Sequence, residues 1–180
     1  MSIKTIFLDR DGVINKEINY LHTIKNFEFI EGVFETCSFL QSLDYKIIII
    51  TNQSGIARGY SSIDDFEILT NWMVGQFKKR EINILDVFYC PHLPDGNCNC
   101  RKPKPGMFLE AQLKYNIDMS GSWMIGDKED DITAAISAGI NKTILVKSGH
   151  KIRESESNAK YIIESIHQAG QLIVKEKPLL

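Results

Sequence analysis

The sequence predicts a three-layer α/β fold in which a central parallel sheet lies between two layers of helices. Short apolar runs rich in β-branched residues alternate with longer amphipathic segments, a pattern typical of parallel strands joined by helical crossovers. The run KIIIIT at residues 46–51 is continuously apolar, as expected for a strand covered on both faces. A chain of 180 residues can bury a sizeable core, and we expect residues 1–180 to form a single domain.

The individual elements follow from local patterns. We predict strands at residues 3–8, 46–51, 86–89, 122–125 and 143–146, then a short strand and a helix from residue 159 onward. We predict helices at residues 32–43, 62–80, 105–113 and 130–138. Ser62 followed by Asp65 is typical of a capped helix start, and Pro105 suits the first position of a helix. Gly139 is expected to end the fourth helix.

Composition and charge exclude several classes of partner. The formal net charge of −2 provides no basic field that would favour nucleic acid or an anionic membrane. The longest purely aliphatic run, residues 47–50, is far shorter than the roughly 20 residues that span a bilayer, and residues 1–8 lack the features of a signal peptide. We therefore expect a cytoplasmic protein that binds neither nucleic acid nor membrane.

Polar or reactive side chains follow four of the predicted strands, at Asp9, Thr51 with Asn52, Cys90 and Asp127. Ligands of open parallel sheets bind beyond the carboxyl ends of the strands, so we expect these groups to converge. Asp9 and Asp11 lie two residues apart, which on extended backbone directs both carboxylates to one side. Such an oxygen-rich site suits Mg²⁺, although DxD alone is equally compatible with an ordinary acidic loop.

Two loops offer groups that could bind a phosphate. TNQSGIARG, after the second strand, supplies the Thr51 hydroxyl and amide donors, although a simple polar turn explains it equally well. CRKPKPG places Lys102 before a proline that holds it extended, beside Arg101, which can bind an oxyanion bidentately. A run of charged residues that was only solvated would not need the flanking prolines, so we favour a phosphate-binding role for this segment. For Asp130 and Asp131 we favour a structural role at a helix N-terminus.

A metal-binding pattern, C-x-H-x₅-C-x-C, is formed by Cys90, His92, Cys98 and Cys100. This Cys₃His set fills a tetrahedral site without leaving an open position, which favours structural over catalytic Zn²⁺. A disulfide framework has no use for the histidine, and a nucleic-acid knuckle would carry interleaved aromatics that this loop lacks. We expect zinc to staple the loop and so hold Arg101 and Lys102. Cys37 is expected to be a buried helix residue.

In chain order, DRDG, the strand-end threonine, the lysine of RKP and the GDxxxD motif resemble the haloacid dehalogenase-like phosphatase superfamily. The resemblance runs over residues 3–146 and implies a Rossmann-like core. DRDGVIN, TNQSGIARGY, CRKPKPG and the Cys/His loop narrow it to the D-glycero-D-manno-heptose-1,7-bisphosphate 7-phosphatase family. That family lacks a large cap domain and acts in ADP- or GDP-heptose synthesis.

The resemblance implies a Mg²⁺-dependent phosphatase. Asp9 would attack the phosphorus to form a phosphoaspartate, and Asp11 would act as general acid and then general base. Thr51 and Lys102 would stabilise the transferring phosphoryl group. The side chains of Asp9 and Asp127 and the backbone carbonyl of Asp11 would hold Mg²⁺.

The resemblance also implies a set of substrate-binding residues. By position these are Arg10, Glu17, Asn19, Tyr20, Asn52, Gln53, Ser54, Arg101 and Lys128. A small phosphorylated sugar would be the substrate, and a compact capless phosphatase is expected to be monomeric.

Two other functions are weighed against this one. Histidinol-phosphate phosphatases share the zinc loop and DRDG, but their second motif tends toward TNQDG, which favours the heptose family. A non-enzymatic alternative is a zinc-stapled module that binds a phosphorylated ligand or RNA. The pair Asp9 and Asp11 argues against such a module, since a binder of anions would not need two carboxylates facing them.

Overall fold

The strands form one parallel sheet. The computed structural model describes residues 1–176, and the strands in that range are β1 (Thr5–Leu8), β2 (Lys46–Asn52), β3 (Ile84–Cys90), β4 (Trp123–Gly126), β5 (Lys142–Val146) and β6 (Tyr161–Ile163). They are ordered β3-β2-β1-β4-β5-β6, and every pairing is parallel. The predicted central parallel sheet is therefore confirmed.

Helices connect the strands as the sequence predicts. They are α1 (Val33–Ser42), α2 (Ile63–Lys78), α3 (Gly106–Tyr115), α4 (Glu129–Ser137) and α5 (Ala169–Lys175), with short 3₁₀ turns at Ile24–Asn26, Glu154–Glu156 and Ile166–Gln168. The predicted bounds of the strands up to β5 and of α1 to α4 differ from these by at most two residues. Over residues 1–176 no helix combines the length and apolar character that a bilayer crossing requires.

The helix starts show where local sequence decides a boundary. Ser62 and Asp65 form the expected capping box, with the Ser62 Oγ accepting from the Asp65 amide at 3.0 Å and the reciprocal bond at 2.8 Å. The sequence predicted Pro105 as the first residue of α3, but in the structure Pro105 immediately precedes the helix. Its carbonyl accepts the bond from the Leu109 amide, so α3 begins at Gly106.

The core lies on both faces of the sheet. Side chains of Ile47 and Ile49 enter a cluster with α1, α2 and α5, whereas Ile48 and Ile50 enter a second cluster with α3 and α4. This alternation is the geometric consequence of a strand whose neighbours on both faces are helices. Cys37 is fully buried in the first cluster, which confirms its prediction as a core residue.

The strand order positions the functional groups. Chain connections run from β1 outward to β3, then return to β4 on the other side of β1, so the sheet reverses direction of growth between β1 and β4. Leu8 and Ile125 pair across this boundary, and the Asp9 amide donates to the Ile125 carbonyl at 3.0 Å. Asp9 and Asp127 consequently emerge side by side at the switch point, where such sheets bind ligands. The described chain carries no separate cap domain over these strand ends.

Candidate active site

Three buried carboxylates meet at the switch point. Asp9 follows β1, Asp127 follows β4, and Asp131 lies in the first turn of α4, four residues after Asp127. One carboxylate oxygen from each lies within 4.8 Å of the others. The turn from β4 into α4 is tight, because a Cβ at Gly126 would come within 2.3 Å of the Asp131 side chain. Glycine at that position therefore lets Asp131 reach the other two carboxylates.

Lys102 is the buried cation of the site. Its Nζ lies 2.9 Å from Asp9 Oδ1 and 2.6 Å from Asp131 Oδ1, and it donates to the Ile50 carbonyl at 2.8 Å. Burial alone lowers the pKa of Lys102, but the charges of Asp131 and Asp9 outweigh it and raise that pKa above its usual value. The ammonium therefore stays charged, with its three hydrogen-bonding directions fixed.

The carboxylates carry more negative charge than Lys102 neutralises. Burial and the charge of Asp131 raise the pKa of Asp9 well above its usual value and raise the pKa of Asp127 to about 7. Asp127 Oδ1 is buried and has no hydrogen-bond partner among residues 1–176. An unpartnered carboxylate oxygen beside two further carboxylates is the donor set that a hard dication such as Mg²⁺ takes. The residues present therefore fit the expected Mg²⁺ ion.

The other oxygen of Asp127 is held by the loop after β5. Asp127 Oδ2 accepts from the His150 backbone amide at 2.9 Å and lies 2.6 Å from its ring Nδ1. This loop packs closely, since a Cβ at Gly149 would come within 2.1 Å of Asp127 Oδ2 and one at Gly12 within 2.4 Å. The contacts fix the orientation of the carboxylate and leave Oδ1 facing the cluster of acids.

Asp11 lies apart from the three-carboxylate cluster in a network of hydrogen bonds. It accepts from Arg10 at 3.0 and 3.1 Å, from Asn15 at 3.0 Å and from Gln53 at 2.9 Å. Burial raises the pKa of Asp11, but the Arg10 charge and these hydrogen bonds outweigh it and hold the pKa below its usual value. Without substrate, Asp11 is therefore ionised and is held in a fixed orientation by Arg10, Asn15 and Gln53. Its expected metal contact through the backbone carbonyl stays a prediction.

The end of β2 and the following Gln53 connect Asp11 to Thr51 and to the segment that carries Lys102. Gln53 donates to the Thr51 Oγ1 at 2.8 Å as well as to Asp11, so one amide spans the two side chains. Both ends of the Asn52 amide bind the backbone of Lys102: the side chain donates to its carbonyl and accepts from its amide, each at 3.1 Å. In this structure Asn52 therefore fixes the position of the Lys102 backbone.

A pocket of about 250 Å³ opens over these groups. It is lined by Asp9, Asp11, Lys102 and all nine predicted substrate-binding residues, namely Arg10, Glu17, Asn19, Tyr20, Asn52, Gln53, Ser54, Arg101 and Lys128. Thr51 and Asp127 are buried at the ends of their strands and contact the lining residues: Thr51 accepts a hydrogen bond from Gln53, and Asp127 lies in the carboxylate cluster with Asp9. Arg10 is itself almost fully buried and paired with Asp11, so its guanidinium faces that carboxylate. The structure thus brings every predicted residue of the reaction site to one place.

The four predicted zinc ligands form a second, separate cluster at the end of β3. The ligand atoms of Cys90, His92, Cys98 and Cys100 lie within 4.8 Å of one another. The Cys90 and Cys98 sulfurs are 3.7 Å apart, and the His92 Nδ1 is 3.4 and 3.3 Å from the sulfurs of Cys90 and Cys100. Two thiolates on a tetrahedral Zn²⁺ lie about 3.8 Å apart, given Zn–S bonds of about 2.3 Å. The residues therefore fit zinc.

Sequence reasoning missed three residues of this region. Asp131 does cap α4, accepting from the amides of Asp127 and Lys128 at 3.0 and 3.1 Å, but it also pairs with Lys102. The available signal was the GDxxxD motif, whose last aspartate is Asp131 and lies in the first turn of the helix that begins two residues after Asp127. His150 and Arg58 also line the pocket. Arg58 belongs to the TNQSGIARG segment considered above for phosphate binding, whereas the loop around His150 carries no sequence signal of its contact.

Comparisons with known proteins agree with this site. The HAD-hydrolase-like family model matches residues 99–169. The D-glycero-alpha-D-manno-heptose-1,7-bisphosphate 7-phosphatase of Photorhabdus laumondii is 49% identical over 164 residues, covering 87% of this chain and 90% of that protein. The D-glycero-beta-D-manno-heptose-1,7-bisphosphate 7-phosphatase of Escherichia coli K12 is 41% identical over 184 residues, covering 98% and 96%.

A solved structure extends the agreement to the fold. D,D-heptose 1,7-bisphosphate phosphatase from B. bronchiseptica, complexed with magnesium and phosphate, matches with a TM-score of 0.86 and 28% identity over 97% of this chain and 100% of that one. Both the fold and the expectation of an enzyme are confirmed. With 41% identity or more to the two named relatives over most of its length, this chain belongs to the heptose-1,7-bisphosphate 7-phosphatase family of HAD-like phosphoric monoester hydrolases.

Proposed function

We propose that the protein removes the 7-phosphate of D-glycero-D-manno-heptose 1,7-bisphosphate, a step toward nucleotide-activated heptose. The observation that carries the proposal is the pairing of Asp9 with Lys102 at 2.9 Å, inside a pocket at the switch point of the sheet. A buried carboxylate held beside a fixed cation can approach an anionic phosphate that a carboxylate alone would repel. Relatives at 41 to 49% identity carry names for this reaction.

Asp9 is the proposed nucleophile. Its carboxylate would attack phosphorus, forming an acyl phosphate while the bond to the sugar oxygen breaks. Lys102 and the Thr51 hydroxyl would stabilise the transferring phosphoryl group. The negative charge of a bound phosphate would raise the pKa of Asp11, so that Asp11 takes up a proton. It would give that proton to the departing sugar oxygen and later take one from the water that hydrolyses the acyl phosphate. The hydrogen bonds from Asn15 and Gln53 orient it for both steps.

The two metals have different roles in the proposal. Asp9, Asp127 and the backbone of Asp11 would hold Mg²⁺, which supplies charge neutralisation for the phosphoryl group when bound. Zn²⁺ in the closed Cys₃His site would be structural, fixing the loop that ends at Cys100, directly before Arg101 and Lys102. Support comes from the fit of both ligand sets and from the relative crystallised with magnesium.

The wider setting of the enzyme is also a proposal. We infer that residues 1–180 form one domain, and that the enzyme acts as a monomer in the cytoplasm. We infer no nucleic-acid or membrane partner, since the formal net charge is −2.

A direct experiment compares three substrates. Purified protein with Mg²⁺ is assayed for phosphate release from the α and β anomers of heptose 1,7-bisphosphate and from histidinol phosphate. The proposal expects one of the heptose anomers to give a kcat/KM far above that of histidinol phosphate. Names with both anomers occur among the relatives, so both are assayed. A higher kcat/KM for histidinol phosphate would overturn the substrate assignment but leave the chemistry intact.

A further inference from the structure

The cations around the pocket fall into two groups. Lys102 and Arg10, at its floor, are each paired with a carboxylate. Three more cations, Arg58, Arg101 and Lys128, line the same pocket. Over residues 1–176 none of these three forms an ion pair, so each has its charge available to a ligand.

Arg58 differs from the other two in having its place fixed by an aromatic ring. Its guanidinium carbon lies 5.7 Å from the centroid of the Tyr20 ring, a cation–π geometry. Within the described part of the chain, no protein acceptor takes a hydrogen bond from its side chain. All five guanidinium N–H donors of Arg58 therefore remain available at the pocket.

The ring beneath Arg58 is itself held by several contacts. Tyr20 meets Tyr60 edge to face at 4.7 Å, and a Cβ at Gly55 would lie 3.3 Å from its ring. Its backbone has a φ of 57°, in the left-handed region that costs a tyrosine on the order of 1 kcal/mol. Strained residues of this kind persist only where their surroundings fix them, and they concentrate at functional sites. These contacts place the Tyr20 ring against the Arg58 guanidinium.

A second arginine shows that stacking alone does not explain this placement. Arg80 is also exposed and lies over an aromatic ring, with its guanidinium carbon 4.1 Å from the Phe34 centroid. Its side chain donates to the Gln76 carbonyl at 2.8 Å, and it lies outside the pocket. Arg80 is therefore a local packing residue, whereas Arg58 presents unused donors to the cavity that contains Asp9.

We propose that Arg58, supported by Tyr20, binds the second phosphate of the sugar bisphosphate, the one that is not hydrolysed. The assignment rests on the proposed function. A bisphosphate whose first phosphate is at Asp9 brings a second anion to the mouth of the pocket. Glu17 and Asp130 also line the pocket and would repel that anion; the charge of Glu17 interacts with Lys128, and that of Asp130 with Lys128 and Arg101. This favours Arg58 over those two cations as the partner of the anion. A guanidinium binds phosphate bidentately, which an ammonium does not.

The test compares two substrates in three variants. The substrates are heptose 1,7-bisphosphate and heptose 7-phosphate, which lacks the second phosphate. Arg58→Gln removes the charge while keeping a planar polar group, Arg58→Lys keeps the charge, and Arg80→Gln is the control on an equally exposed stacked arginine. The ratio of kcat/KM for bisphosphate to that for monophosphate should fall about tenfold in Arg58→Gln, as expected for one charge-assisted contact. It should fall less in Arg58→Lys and stay at the wild-type value in Arg80→Gln.

Each outcome separates the two proposals. Equal losses on both substrates in Arg58→Gln, or no loss on either, would overturn the Arg58 assignment and leave the proposed function standing. A wild-type protein that fails to hydrolyse the bisphosphate would instead overturn the proposed function. Since Arg58 is exposed, the melting temperatures of Arg58→Gln and Arg58→Lys should match the wild type, which excludes unfolding as the cause of a loss.

Discussion

Asn52 binds the backbone of Lys102 through both ends of its side-chain amide, each at 3.1 Å. The two residues are fifty positions apart, so this contact joins the end of β2 to the loop that follows the predicted zinc ligands. Lys102 is consequently held at two levels: its backbone by Asn52 and its ammonium by Asp9 and Asp131. The arrangement assigns Asn52 to positioning the cation, in addition to or instead of a contact with substrate.

Asn52→Ala should therefore lower kcat by about tenfold while changing KM little, because two hydrogen bonds that place the lysine are lost. Asn52→Asp keeps the acceptor for the Lys102 amide but loses the donor to its carbonyl, so its kcat should fall between wild type and Ala. Steady-state kinetics on the bisphosphate measures both. If KM rises while kcat is retained, Asn52 acts on the substrate directly and the positioning role is wrong.

Asp131→Asn should lower kcat by about a hundredfold. Lys102 loses its shortest carboxylate contact, at 2.6 Å, and a misplaced cation stabilises the transferring phosphoryl group less well. The neighbouring Asp130 is exposed and does not pair with Lys102, which makes Asp130→Asn the matched control. At saturating Mg²⁺, Asp130→Asn should lower kcat far less than Asp131→Asn does. Equal losses in the two variants would contradict the role given to the Asp131–Lys102 pair.

Cys98→Ser should remove the zinc ion, lower the melting temperature and reduce kcat. A closed structural site binds only as a set, so losing one ligand frees the loop that precedes Arg101 and Lys102. Metal analysis, calorimetry and kinetics on one preparation check the three effects together. Cys37→Ala is the control: it opens a cavity at a fully buried thiol and so lowers stability, but should retain one zinc per chain. If the Cys98→Ser protein contained no zinc but kept the wild-type melting temperature and kcat, the structural role given to zinc would be wrong.

Local sequence patterns predict the fold and most of the site for physical reasons. Strands buried on both faces and helices with capping signals are local features, and the rule that ligands bind at the ends of parallel strands then brings Asp9, Thr51 and Asp127 together. The zinc ligands are likewise recognisable from spacing alone. None of these predictions requires information about contacts between residues that are distant in the sequence.

The parts that sequence does not predict depend on long-range contacts. The first-turn position of Asp131 is explained by helix capping, and only the fold shows that Lys102 lies against its other oxygen. Nothing in the loop around His150 indicates that it closes over Asp127, 23 residues away in sequence. Similarly, the left-handed backbone of Tyr20 is imposed by its neighbours, since tyrosine itself disfavours it.

The central claim is that Asp9 is the nucleophile, and the most direct measurement is to trap the acyl phosphate. Wild-type protein mixed with bisphosphate and Mg²⁺ is quenched in acid within one turnover, digested, and analysed by mass spectrometry, with Asp9→Asn in parallel. We expect a phosphoryl group on Asp9 in the wild type, and neither phosphopeptide nor turnover in Asp9→Asn. A phosphoryl group on another residue, or an Asp9→Asn protein that retains full turnover, would contradict it.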